Sequence, residues 1–183
     1  MTHTDPERVV STKEAFAHHQ ILEQTPHSWV LQELRPDRWM EVVSLAGGKI
    51  LAHGDYDPIV FAYGPRDPVA KVHWIGKDTL SHYVIEKAQI GSGQHVIEWN
   101  PTLAQQELSD YMRAIDEEDH PGRAAEYQTV IEAGWETEEE LHRLIYDFDT
   151  DPPDFGRQPT SSLYMAWGIL NRLSGLLAGK ETP

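Results

Sequence analysis

The stretch WMEVVSLAGGKILAHGDYDPIVF, residues 39–61, decides the fold. Met40, Val42 and Leu45 lead into Gly47-Gly48; Ile50, Leu51, Ile59, Val60 and Phe61 follow. A Gly-Gly pair between apolar runs marks a hairpin, because glycine reaches positive φ without a steric penalty. The segment reads as two strands, a polar turn over residues 53–57, and a third strand. Pro58 suits that strand's start, where a missing donor is tolerated.

Upstream, residues 28–34 (SWVLQEL) alternate as a further strand, and residues 35–38 (RPDR) turn. Residues 1–13 read as a loose polar arm. Residues 14–23 (EAFAHHQILE) read as a short amphipathic helix, which Pro26 bars from continuing. Downstream, residues 69–75 (VAKVHWI) suit a strand or a buried helical turn, since seven residues do not separate the two periods. From residue 78 the period lengthens. Residues 78–90 read as a helix ended by Gly91-Ser92-Gly93, and residues 95–99 as an edge strand. Three helices follow: from Pro101 or Thr102, over residues 123–133, and from Thr137, where Glu140 completes a capping-box pattern. Residues 147–159 form a polar loop. In residues 161–177, Leu163, Trp167, Leu170, Leu173 and Leu177 recur at helical spacing.

Strands first and helices afterwards predict an α+β fold: an antiparallel sheet formed early in the chain, packed against four or five mostly C-terminal helices. The chain of 183 residues fits a single domain. Its parts are the arm (1–13), a sheet-rich part (28–99) and an acidic helical part (101–178). Six tryptophans and seven tyrosines argue against disorder. The absence of cysteine excludes disulfides, thiolate catalysis and cysteine metal sites, and suits a reducing cytoplasm. The N-terminal residues carry no apolar h-region, so no signal peptide is expected, and no apolar run is long enough to span a bilayer.

Thirty acidic residues face fifteen basic ones, a net charge of −15. Residues 1–100 carry 13 and 9; residues 101–183 carry 17 and 6. A field of this sign repels nucleic acid and anionic membranes and favours basic partners. The densest acids are Asp116, Glu117, Glu118 and Asp119 at a helix end, then Glu132, Glu136, Glu138, Glu139 and Glu140, then Asp147, Asp149 and Asp151. On a rigid helical frame such carboxylates could stand in for a row of phosphates. The same residues also suit an ordinary solvated face.

Two shorter patterns point to metal. His53, Asp55 and Asp57, with His73 later, offer imidazole and carboxylate ligands. The same His-Gly-Asp-Tyr-Asp run also suits a tight turn. Residues 147–151 (DFDTD) open like a calcium loop, but Pro152 stands where glycine is required and Gln158 where the closing glutamate belongs. No nucleophile, base and orienting group come together along the chain, so no catalytic residue and no cofactor is expected.

Gly54-Asp55, Val60-Phe61, Trp74, Tyr83, Lys87-Ala88, Gly91 and the later Ala166-Trp167-Gly168-Ile169 together resemble a family of uncharacterised proteins from tailed phages and prophages. The resemblance covers residues 40–91 and 163–170, scattered, and leaves residues 103–154 unmatched. It implies a small phage accessory protein in the host cytoplasm, with no catalytic residues to carry over. Such proteins are often inhibitors of host defence. The leading expectation is an inhibitor of a host nucleic-acid-handling complex, of the CRISPR kind. Its acidic residues would engage a basic nucleic-acid-binding groove, without direct binding to nucleic acid or membrane. The alternative is a metal-dependent hydrolase or nucleotide-processing enzyme built on His53, Asp55, Asp57 and His73.

Overall fold

The computed structural model describes residues 4–33, 39–77, 79–90, 96–115 and 122–179. The elements run α1 (Pro6–Phe16), β1 (Gln20–Gln24), β2 (Ser28–Gln32), β3 (Trp39–Leu45), β4 (Lys49–His53), β5 (Ile59–Phe61), α2 (Pro68–Ile75), α3 (His82–Lys87) and β6 (Ala88–Ile90). They continue with β7 (Ile97–Trp99), α4 (Pro101–Ala114), α5 (Arg123–Ala133), α6 (Glu138–Tyr146), β8 (Arg157–Pro159) and α7 (Ser161–Leu177). The fold is α+β. Strands β1 to β6 form one antiparallel sheet in chain order, and the longer helices follow it. No helix among the described residues is long and apolar enough to cross a membrane.

The chain divides into two compact units. One holds Thr4–Val96 and Pro159–Pro183; the other, Ile97–Gln158, is inserted between those segments. The short β7–β8 pair marks where the chain enters and leaves the insertion.

In the sheet unit, Gly47 and Gly48 both take positive φ, 78° and 73°, and set the register Leu45↔Lys49, Val43↔Leu51. Alternation then fixes the faces. Trp29, Leu31, Met40, Val42, Ile50, Ala52, Ile59 and Phe61 are all buried on one side. Helix α7 lies against β1, β4 and β5, flanked by α1 and α2. Its Leu163, Tyr164, Trp167, Ile169, Leu170 and Leu173 are buried. Two glycines allow this. A Cβ on Gly168 would sit 2.7 Å from the Phe16 ring of α1, and one on Gly76, at the end of α2, would collide with the Leu170 carbonyl. Asn171 Nδ2 donates to the Gly76 and Lys77 carbonyls at 2.9 and 3.2 Å, tying α2 to α7.

The N-terminal reading is corrected. Residues 6–13 are not a loose arm but the body of α1: the Asp5 side chain accepts from the Glu7 and Arg8 amides and Pro6 occupies the first helical position. Nor do residues 14–23 form one helix. Helix α1 ends at Phe16, and Gln20 and Ile21 pair with Gln32 and Leu31 as the edge strand β1. Residues 69–75 are helical, because Asp67 caps Ala70 N at 2.7 Å and Pro68 follows. Residues 97–99 pair with β8 and not with the large sheet.

The inserted unit has its own core of Ala104, Leu108, Tyr127, Val130, Leu141, Ile145 and Phe155. Tyr127 lies at its centre, edge-on to Tyr111 at 5.2 Å and to Phe148 at 5.0 Å.

One buried group opposes the sheet unit's stability. Lys71 of α2 is 1% exposed, and among the described residues its Nζ reaches the Ala62 carbonyl alone, at 3.5 Å. Burial lowers its pKa below the ordinary 10.5. Lys71→Met should therefore raise stability by about 1–3 kcal/mol in chemical denaturation at neutral pH. The unfolded lysine holds its proton up to pH 10.5 while the folded one releases it earlier, so wild-type stability rises with pH across that window and the gap to the variant narrows. Gly76→Ala should lower stability by about 1–3 kcal/mol with an unchanged denaturant slope, since the Leu170 backbone cannot yield as a side-chain tip would.

Candidate functional site

The inserted unit concentrates the charge. Ile97–Gln158 hold 17 of the 30 acidic residues and four of the 15 basic ones, a net of −13 out of −15. Its helices are built to turn that charge outward. Asn100 caps α4 by accepting from Thr102 N and Leu103 N at 2.9 and 3.1 Å. Thr137 and Glu140 make the expected capping box on α6. Each helix commits one stripe to the core: Ala104 and Leu108, Tyr127 and Val130, Leu141 and Ile145. Tyr111, Met112, Ile131 and Leu144 flank those stripes half-buried, and most of the charged residues lie beyond them.

The acids divide by role. Glu138 accepts from Arg157 Nε at 2.7 Å. Glu140 accepts from the amides of Glu136 and Thr137 at 2.9 and 3.3 Å, and the Glu136 bond holds its carboxyl below the ordinary carboxylate value. Asp149 accepts from the Tyr127 hydroxyl at 2.6 Å and pairs with Arg123 at 3.4 Å. Glu107 accepts from Gly156 N at 2.6 Å, joining α4 to the segment before β8. These carboxylates hold the unit together. Glu132, Glu136, Glu139, Asp147, Asp151 and Asp154 are exposed, as are Asp110 and Glu126, which the sequence reading did not single out. Asp116, Glu117, Glu118 and Asp119 lie outside the described residues.

The metal candidates do not converge. His53 Nε2 meets Glu41 at 3.1 Å across β3 and β4. Asp57 accepts from the Ser162 hydroxyl at 3.1 Å. His73 Nδ1 lies 2.8 Å from Ser174 Oγ, between α2 and α7, and Asp55 is exposed. Among the described residues no three His, Asp or Glu side chains assemble a ligand set. The DFDTD run is no calcium loop either: Asp149 turns inward to Tyr127 and Arg123, and its other oxygen accepts from Asp151 N. Within the polar loop expected for residues 147–159, the run makes a turn closed by the Asp149 carboxylate.

The His73–Ser174 contact has the spacing of a base and a nucleophile. Ser174, however, lies inside α7, where backbone amides are bonded to carbonyls one turn back. They cannot face a developing oxyanion, so the pair reads as a tether between two helices.

No family model, curated protein or solved structure matches the chain.

The Tyr127–Asp149–Arg123 triad anchors α5 to the segment after α6. Tyr127→Phe should cost about 1.5–3 kcal/mol, because a charged acceptor loses its donor. Burial and then Asp149 raise the Tyr127 pKa above the ordinary 10. The difference from wild type should therefore be full below pH 10. It should close at higher pH, where the unfolded tyrosine ionises first; denaturation series at pH 7 and above pH 10 check this.

Proposed function

We propose that the inserted helical unit is an interaction module that docks on a basic, nucleic-acid-binding groove of another protein and competes there with nucleic acid. The observation that carries this reading is the concentration of −13 of the net −15 in one compact unit. Three of that unit's four arginines are already matched to Asp110, Asp149 and Glu138. The solvent-facing carboxylates of α5 and α6 and of the segment after α6 are left to act outward. A field of that sign speeds encounter with a cationic groove and loses strength with salt. The phage setting, and a host-defence complex of the CRISPR kind as the partner, are supported by the scattered resemblance alone.

The test separates carboxylates that hold the fold from those that face solvent. Glu132, Glu139, Asp147 and Asp151 are replaced together by Gln and Asn, leaving Glu138, Glu140 and Asp149 in place. Tagged wild-type protein should retain a basic nucleic-acid-binding complex from host lysate at low salt. It should lose that complex at high salt and release it to added nucleic acid. The variant should retain at least about tenfold less, with an unchanged melting temperature. Equal capture by the variant, or capture indifferent to nucleic acid, would sink the reading.

A further inference from the structure

A different cluster lies in the sheet unit. Tyr63 follows β5, Trp74 belongs to α2, and Tyr83 and Lys87 lie one turn apart on α3. The Lys87 ammonium sits 5.3 Å from the centre of the Tyr63 ring and 5.5 Å from that of Tyr83. Trp74 meets Tyr83 edge-on at 5.7 Å. The backbone is shaped to admit that indole: Gly64 takes a φ of 96°, and a Cβ there would lie 2.7 Å from the Trp74 ring. Tyr63 and Tyr83 nevertheless remain 51% and 50% exposed.

The cation is held in an unusual way for so acidic a chain. Lys87 forms no ion pair among the described residues. Its neighbour Glu86 is engaged with His82 at 3.1 Å. The ammonium thus rests on ring faces, which attract it through the negative centre of each quadrupole. A lysine stem has four rotatable carbons, and with no ion pair among the described residues to fix its end it can swing into water. A primary ammonium gives up strong hydration to lie on a ring, whereas a trimethylammonium carries its charge on a weakly hydrated, apolar surface.

We propose that Tyr63, Tyr83 and Trp74 form a site for a trimethylammonium group, and that Lys87 occupies it until such a ligand displaces it. Packing of the lysine stem against two tyrosines would account for the same distances without any ligand, and the experiment distinguishes the two.

Choline and free Nε-trimethyl-lysine are titrated into the full chain, with the Trp74 indole and the Tyr63 and Tyr83 rings followed by NMR. The proteins are wild type, Lys87→Gln, which keeps a stem of similar shape without the charge, and Lys87→Gln combined with Tyr83→Leu. The neutral isostere of choline, 3,3-dimethylbutanol, is the control. Saturable shifts confined to these rings are expected, about tenfold tighter in Lys87→Gln than in wild type and lost again in the double variant. Comparison of the two ammonium probes reads which carrier of the group is preferred. Absence of saturable shifts in Lys87→Gln overturns the site, as does equal binding of the neutral isostere. Equal affinity in wild type and Lys87→Gln overturns the displacement by Lys87. Tyr83 is half exposed, so its replacement leaves the fold intact; unchanged backbone resonances elsewhere check this.

Discussion

The close approach of α7 to its neighbours is the constraint on which the sheet unit depends. The buried face of a six-stranded sheet needs a cover, and α7 supplies most of it, with Trp167 and Leu170 fully buried. Helices α1 and α2 reach α7 only because Gly168 and Gly76 carry no side chain. A packed interior transmits even one misplaced methyl group, so these two positions bear on strands far from them in sequence. The covering helix is also the last element of the chain. The sheet is complete by Ile90, yet its core closes only when residues 161–177 join it, after the whole insertion. Contacts between such distant segments must be made against the entropy of the intervening chain.

How much of this was legible depends on the kind of signal. The hairpin at Gly47-Gly48 was readable because a two-glycine loop has few other uses. The capping box at Thr137 and Glu140 was readable for the same reason. Helix α1 was missed and α2 left open between a strand and a helical turn, although both carry one signature, an aspartate followed by proline: Asp5-Pro6 and Asp67-Pro68. Asn100-Pro101 repeats it at α4. Proline there reads as a breaker when it is in fact a first helical residue with a capping side chain before it. Residues 20–24 were misread because apolar residues over so short a run fit either period. Periodicity, finally, tells that a helix face is buried but not against what. The stripes of α4, α5 and α6 meet one another around Tyr127 and form a second core.

The candidate site was legible only as composition. Sequence ranks Glu138, Glu139 and Glu140 alike, yet one pairs with Arg157, one faces water and one caps its helix. That sorting arises from the helix turn, which separates adjacent side chains by about 100°, and from partners distant in sequence. The His53–Asp57 run illustrates the converse. Its histidine and aspartates are close along the chain, but strand pairing sends His53 to Glu41 while a helix hydroxyl takes Asp57. Proximity in sequence placed them together; the pleat and the turn took them apart.

The acidic unit must also resist its own charge. Like charges on so small a body favour expansion, and the cost grows as salt is removed. Two devices oppose it. Arg123 and Arg157 are placed against acids that are partly buried, where screening is weaker than at the open surface. Tyr127 gives its hydroxyl to Asp149, so the carboxylate nearest the aromatic core is bonded rather than merely near. Glu139, Asp147 and Asp151 instead turn their carboxylates to solvent. They are retained in the very unit whose stability they reduce, and it is this imbalance, more than the number of acids, that directs attention to a cationic partner. Attraction to such a partner would weaken with added salt, whereas an ammonium seated on aromatic rings in the sheet unit would be far less sensitive. Ionic strength is therefore the variable that would tell the two proposed recognition modes apart within one chain.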